Sequence, residues 1–120
     1  MYYTESHEWA SIQGKVATIG ITDHAQKELG EIVFVELPQV GHHVKQGDEA
    51  AVLESTKAAA DVYAPISGKV LAVNAGVKAD PSLLYQFAES KGWLFQIEMS
   101  DPKELQSLLK KEQYLSQIFP

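Results

Sequence analysis

Apolar residues occur in short runs along the chain, and each run is bounded by glycine, proline or polar turn residues. The runs cover residues 16–21, 31–37, 51–54, 61–63, 69–73 and 93–99. Short runs rich in β-branched and aromatic side chains are typical of β-strands. The run at 31–37 stops at Pro38 and is apolar at consecutive positions, so we expect a strand with both faces partly covered. The pattern predicts a mainly β fold, a sandwich or flattened barrel with short helices at its margins.

A short helix is predicted between the first two runs. Thr22 or Asp23 can cap its N-terminus, because both side chains offer an oxygen to the free backbone N–H groups of a first turn. The helix would continue to Leu29, and Gly30 would end it, since glycine tolerates the backbone conformation that follows a helix.

The C-terminal segment is predicted to be a second helix. Asp101 can cap it, with Pro102 at the first helical position and Glu104 placed as in a capping box. The apolar positions that follow at helical spacing are Leu105, Leu108, Leu109 and Leu115. We expect this stripe to pack on the β body.

Composition and charge exclude several kinds of partner. The 120 residues suit one domain, and we assign residues 1–120 to it. Ten basic and sixteen acidic residues give a net charge of −6, which repels nucleic acid and anionic membranes.

No apolar run is long enough to cross a membrane, and the start of the chain lacks the pattern of a signal peptide, so we expect a cytoplasmic protein. Because there is no cysteine, disulfides, cysteine-ligated metals and thiol nucleophiles are all excluded.

One lysine is predicted to lie at the tip of a hairpin. The runs at 51–54 and 61–63 flank a segment of small residues around Lys57. Such a lysine is either an ordinary solvated charge or an amine that another protein can modify. Because the nearby charges, Glu54 and Asp61, are acidic, they oppose the lowered pKa that a Schiff-base lysine needs. A functional Lys57 therefore suits modification by an external enzyme better than intrinsic nucleophilicity.

The histidines give weaker signals. His42 and His43 are adjacent, so on a strand they would point to opposite faces, and we interpret them as loop residues. His7 and His24 have no nucleophile close in sequence, and a hydrolase triad is not supported.

Four segments resemble the glycine cleavage system H-protein family. The segment Glu54-Ser55-Thr56-Lys57-Ala58, followed by residues 61–65, is similar to that family's lipoylation site. Residues 6–9, 20–30 and 32–38 resemble the family in the same order along the chain. The resemblance implies the lipoyl/biotinyl hammerhead fold, in which two antiparallel sheets form a sandwich or flattened barrel with short peripheral helices and a C-terminal helical segment. It also implies lipoic acid joined covalently to Lys57, with Glu54, Ser55, Thr56 and Ala58 forming the attachment motif.

The same resemblance implies a carrier protein rather than an enzyme. A pyridoxal-phosphate glycine decarboxylase would load an aminomethyl group onto the lipoyl-lysine arm. A tetrahydrofolate-dependent aminomethyltransferase would unload it, and a dihydrolipoamide dehydrogenase would reoxidise the arm. A lipoate ligase or octanoyltransferase would install the arm, and we expect the carrier to be a monomer.

A surface cleft is expected to shelter the loaded arm. The positions of this chain that match it are Ser6, Glu8 and Asp61. Glu8 or Asp61 could pair with the cationic aminomethyl group, and Ser6 could accept a hydrogen bond from it. In the alternative interpretation, Glu8 is solvated and Asp61 is an outward polar residue of a strand.

Other functions stay open at this stage. Residues 81–93 keep the Gly92-Trp93 pair but lack a Pro-Tyr-Gly sequence common in the family, and we expect Leu83, Leu84 and Phe87 to form a helical turn there. A divergent protein that relays lipoyl groups to other acceptors is therefore one alternative. A biotin carrier, an enzyme with Lys57 as its reactive amine, and an unmodified interaction domain are the others.

Overall fold

The structure, a computed structural model, describes all 120 residues and is built mainly from short strands. The strands are β1 (Tyr2–Tyr3), β2 (Glu8–Gln13), β3 (Val16–Ile21), β4 (Ile32–Glu36), β5 (His43–Val44), β6 (Glu49–Ser55), β7 (Ala59–Tyr63), β8 (Gly68–Val73), β9 (Phe95–Met99) and β10 (Leu109–Lys110). The helices are α1 (Asp23–Leu29), α2 (Ala75–Ala79), α3 (Leu83–Gln86) and α4 (Lys111–Ile118), with a 3₁₀ helix at Pro102–Ser107. None of the helices is long and apolar enough to cross a membrane.

The strands form two antiparallel sheets that pack as a flattened sandwich. The larger sheet has seven strands in the order β10-β1-β2-β3-β9-β8-β5, and the smaller has three in the order β4-β6-β7. A cluster of 19 buried apolar residues holds the two together, with Ile19, Leu53 and Phe95 fully buried in it. The predicted mainly β, two-sheet architecture with peripheral helices is confirmed.

Helix α1 begins and ends where the sequence predicts. The Thr22 hydroxyl accepts a hydrogen bond from the backbone N–H of Ala25 at 3.2 Å, so Thr22 is the capping residue. Gly30 ends the helix with a φ of +79°, a value that glycine adopts without steric cost. Between these two residues, Ala25 and Leu29 pack the helix against the core.

The predicted C-terminal helical segment is confirmed, but it is not one continuous helix. The segment divides into the 3₁₀ helix, β10 and α4, and β10 pairs with β1 through the register Tyr3↔Leu109. Leu115 is exposed, whereas Tyr114 is buried and its ring stacks on Tyr3 at a centroid distance of 4.8 Å. The open edge of β1 offers hydrogen bonds from a distant part of the chain, and these override the local helical spacing.

One face of the 31–37 run is buried and the other is about half exposed, within the partial cover that the sequence predicts. A bulge between Ile32 and Phe34 turns two consecutive side chains, Val33 and Phe34, outward. These two side chains are 54% and 46% exposed, while Ile32 and Val35 point into the core.

The predicted helical turn in residues 81–93 is confirmed as α3. Leu84 is fully buried, and the Tyr85 hydroxyl donates a hydrogen bond to the carbonyl of Ile32 at 2.8 Å. Phe87 lies just after the helix and is exposed. This segment therefore packs against the start of β4.

Candidate functional site

The predicted hairpin around Lys57 is present and its tip is organised by one serine. Strands β6 and β7 pair up to Glu54↔Ala59, which leaves residues 56–58 as the connection. The Ser55 hydroxyl accepts hydrogen bonds from the backbone N–H groups of Lys57 and Ala58, both at 3.1 Å. The backbone N–H of Ser55 donates to the Ala58 carbonyl at 2.8 Å. The Ser55 side chain therefore holds the turn through hydrogen bonds to its backbone.

The tip is also anchored to the preceding segment of the chain. The backbone N–H of Thr56 donates to the carbonyl of Glu31 at 3.1 Å. The side chains of Glu54, Thr56, Lys57 and Ala58 are all exposed. The backbone of the tip is therefore fixed while the side chains around the lysine stay in solvent.

The side chain of Lys57 lies next to the end of α1. A Cβ atom built on Gly30 would be 3.7 Å from both Cε and Nζ of Lys57. The lysine forms no ion pair, since the one ion pair of the structure joins His24 and Glu28. Its amine is exposed and forms no ion pair, and it lies beside Gly30.

Glu8 is buried and accepts several hydrogen bonds. Its side chain is 2% exposed. One carboxylate oxygen accepts from the hydroxyls of Thr4 at 2.5 Å and Ser6 at 2.6 Å, and the other accepts from the backbone N–H of Tyr63 at 3.2 Å. Glu8 therefore joins the N-terminal segment to the free edge of β7, and the solvated alternative for this residue is wrong.

One cavity brings together the three residues expected in the arm cleft. Its volume is about 160 Å³. It is lined by Ser6, His7, Glu8, Ile21, Ala25, Glu28, Leu29, Leu53, Ala60, Asp61 and Val62. Asp61 is exposed at its rim, while Glu8 is buried in its wall. Because Leu29 lines the cavity and the next residue, Gly30, lies beside Lys57, the cavity and the lysine are neighbours across the end of α1.

Several contributors to this site could not be identified from the sequence. The Tyr63 backbone binds Glu8 only because β7 and the N-terminal segment meet in the fold. Gly30 carries a signal for ending a helix but none for adjoining Lys57. Glu28 faces the cavity from α1, and helical position alone does not show which element it faces.

The arrangement suits acylation of an amine followed by docking of the attached group. The exposed Lys57 amine is accessible to a modifying enzyme, and the neighbouring cavity combines apolar walls with three carboxylates. Two antiparallel sheets with a lysine at an exposed hairpin tip define the class of lipoyl- and biotinyl-type carrier domains.

Comparison with known proteins narrows this class. The family model described as "Glycine cleavage H-protein" matches residues 1–119. The Glycine cleavage system H protein of Thermotoga maritima is 54% identical over 112 residues, covering 93% of this chain and 90% of that protein. A "Probable glycine cleavage system H protein 1" of Sulfolobus acidocaldarius is 48% identical over 117 residues, with 98% and 85% covered. The chain belongs to the glycine cleavage H-protein family.

A solved structure agrees with this assignment. The crystal structure of a glycine cleavage system H protein from Mycobacterium marinum superposes with a TM-score of 0.90 at 34% identity. The match covers 99% of this chain and 96% of the other. The similarity therefore includes both sheets and the C-terminal segment.

Proposed function

We propose that this chain is the lipoyl carrier of a glycine cleavage system and that Lys57 is the residue that bears the lipoyl group. The observation that carries the proposal is an exposed, uncommitted amine at the Ser55-organised tip. The family consists of lipoyl carriers rather than enzymes. Family membership thus favours lipoylation over biotinylation and over catalysis by a reactive lysine.

The chemistry is supplied by the attached group and by partner enzymes. A lipoyl group in amide linkage to Lys57 supplies a dithiolane that takes up the aminomethyl unit of glycine and hands it on. The proposed partners are a pyridoxal-phosphate glycine decarboxylase, a tetrahydrofolate-dependent aminomethyltransferase and a dihydrolipoamide dehydrogenase. A lipoate ligase or octanoyltransferase would form the amide, in which Lys57 loses its charge. The residues around the tip, Glu54, Ser55, Thr56 and Ala58, present the amine to that enzyme.

The cavity beside α1 is the proposed resting place of the loaded arm. Asp61 at the rim is an exposed carboxylate that can accept a hydrogen bond from an ammonium group. Glu8 lies deeper, and the hydroxyl of the exposed Ser6 donates a hydrogen bond to its carboxylate at 2.6 Å. The role of Glu8 is to keep negative charge in the wall of the cavity, while the apolar residues of the cavity exclude water.

We also propose that residues 1–120 act as one carrier domain, as a monomer and in the cytoplasm. The C-terminal segment supports the first point, because β10 pairs with β1 and Tyr114 stacks on Tyr3. A carrier that must dock in turn with several enzymes benefits from a single small body and a tethered group, which raises the effective concentration of that group at each docked enzyme.

Reconstitution tests the proposed function. Acylated wild-type protein should support glycine-dependent CO₂ exchange by glycine decarboxylase, whereas acylation-treated Lys57→Arg protein should support none. Lys15→Arg is the matched control, since Lys15 is an exposed lysine elsewhere on the surface. Full exchange by the Lys57→Arg protein would refute the proposal.

The cleft is tested separately by the lifetime of the loaded carrier in buffer. We expect Asp61→Asn and Glu8→Ala to release formaldehyde and ammonia faster than wild type, with acylation close to normal. Glu36→Gln, an exposed acidic residue of β4, is the control. Equal lifetimes for wild type and both variants would remove Asp61 and Glu8 from the arm site.

A further inference from the structure

Two histidines and a glutamate converge beside the first turn of the chain. One ligand atom from each of His7, His24 and Glu28 lies within 4.8 Å of the other two. His7 lies in the turn between β1 and β2, and the other two occupy successive turns of α1. The sequence spacing does not reveal the cluster, because His7 reaches it from a separate element.

The two residues on α1 are accessible from solvent. The Nε2 atom of His24 contacts the Glu28 carboxylate, and the two side chains are 33% and 64% exposed. The ring centroids of His24 and His7 are 4.7 Å apart. An ion in solvent can therefore reach all three side chains without displacing part of the fold.

His7 is held rigidly in an uncommon backbone conformation. It is the one non-glycine residue of the chain with a positive φ, +71°. Its N–H donates to the Thr4 carbonyl at 3.2 Å, and its carbonyl accepts from the N–H of Thr22 at 3.0 Å. A strained backbone conformation of this kind persists only where neighbouring contacts hold the residue in place. It is common at functional sites.

The ring of His7 is oriented by a buried hydroxyl. Its Nδ1 is 2.8 Å from the hydroxyl oxygen of Tyr114, which is itself 2.7 Å from the Thr22 hydroxyl. Tyr114 is 3% exposed, so packing around its ring holds the hydroxyl that contacts His7 in place. In the tautomer whose Nδ1–H donates to the Tyr114 oxygen, Nε2 is free to bind a metal, as with outer-shell partners in known metal sites.

We propose that His7, His24 and Glu28 form a binding site for a first-row divalent transition metal, with Zn²⁺ as the physiological ion. Two imidazoles and one carboxylate suit Zn²⁺ or Co²⁺, whereas Mg²⁺ and Ca²⁺ prefer oxygen ligands. Tetrahedral coordination with bonds of about 2.0 Å places ligand atoms roughly 3.3 Å apart. The exposed side chains of His24 and Glu28 can close the remaining distance by rotating, and water would complete the coordination.

Calorimetric titration with Zn²⁺, and absorption spectroscopy with Co²⁺, test the site. The protein is the full chain without a purification tag and without acylation, so the result does not depend on the function proposed for Lys57. We expect one equivalent of Zn²⁺ to bind and Mg²⁺ to give no heat. His24→Gln and Glu28→Gln should each weaken binding by more than about tenfold, and Tyr114→Phe by about 10- to 100-fold through loss of the support to His7.

The matched control is the double variant His42→Gln/His43→Gln, which removes the exposed histidine pair outside the cluster. It should bind Zn²⁺ as wild type does. Circular dichroism establishes that each variant is folded. The proposal is overturned if wild type shows no saturable binding, if His24→Gln and Glu28→Gln bind as wild type does, or if the control abolishes binding.

Discussion

The hydroxyl of Ser55 accepts a hydrogen bond from the backbone N–H of Lys57 at 3.1 Å, so the last residue of β6 fixes the backbone of the residue at the hairpin tip. The same hydroxyl accepts from Ala58. The amine of Lys57 is thereby presented from a rigid turn, while its side chain remains exposed.

Replacing Ser55 with alanine should loosen this turn without unfolding the sheet. The two hydrogen bonds that the half-exposed hydroxyl accepts and the one it donates to the Ala58 carbonyl are lost, and each contributes about 0.5–1.5 kcal/mol. We expect faster amide exchange at Lys57 and Ala58 and slower acylation of the chain. Ser11→Ala is the control, because Ser11 is an exposed serine of β2 outside the hairpin tip. If Ser55→Ala is acylated at the wild-type rate, the turn does not need Ser55 to present the amine.

Lys57→Ala should have little effect on folding. The side chain is exposed and unpaired, so the free energy of unfolding should change by less than about 0.5 kcal/mol. Urea denaturation of Lys57→Ala and of the exposed control Lys15→Ala should give similar midpoints. A midpoint lowered well beyond that of the control would mean that the lysine is packed rather than presented.

Glu8→Ala should destabilise the chain, because it removes the acceptor of three buried or half-buried donors. The hydroxyls of Thr4 and Ser6 and the N–H of Tyr63 would have to find water. We expect a loss of about 1–3 kcal/mol in the free energy of unfolding. Glu5→Ala, a change at a neighbouring exposed acid, should be close to neutral. Equal stability of the two variants would show that the buried carboxylate contributes nothing to the fold.

Tyr114 should make the fold sensitive to alkaline pH. Burial raises the pKa of Tyr114 above its ordinary value of 10.0, with Glu89 adding to the rise and the hydrogen bond to Thr22 opposing it. The unfolded chain therefore loses this proton at a lower pH than the folded chain does. Stability is unaffected below about pH 10 and falls as pH rises from there to the folded-state pKa.

The measurement is the free energy of unfolding from pH 8 to 12 for wild type and Tyr114→Phe. The variant should start lower, since it loses the contacts to His7 and Thr22, and decline less steeply above about pH 10. If the free energy of unfolding falls equally steeply with pH in both proteins, Tyr114 is not a source of the loss of stability at alkaline pH.

The parts of the fold that the sequence predicts correctly have local causes. Thr22 caps α1 and Gly30 ends it through contacts within a few residues. The hairpin around Lys57 follows from two apolar runs close together in the chain. The attachment segment could also be recognised by its resemblance to a family, which needs no folding argument.

The parts that the sequence does not reveal depend on distant partners. Leu109 has the spacing of a helical stripe, yet it pairs with Tyr3 at a sheet edge formed at the other end of the chain. The bulge at Val33 arises from pairing with β6. Among the candidate cleft residues, the sequence indicates that Glu8 and Asp61 are acids, but the burial of one and the exposure of the other follow only from the meeting of β7 with the N-terminal segment.

The most direct measurement is mass spectrometry of the chain after incubation with lipoate, ATP and a lipoate ligase, followed by peptide mapping of the modified residue. One lipoyl group on the peptide containing Lys57, absent from Lys57→Arg and present in Lys15→Arg, is the predicted result. A chain that stays unmodified under conditions in which the ligase acylates a known lipoyl domain, or that takes the group on a different lysine, would contradict the assignment of Lys57 as the carrier residue.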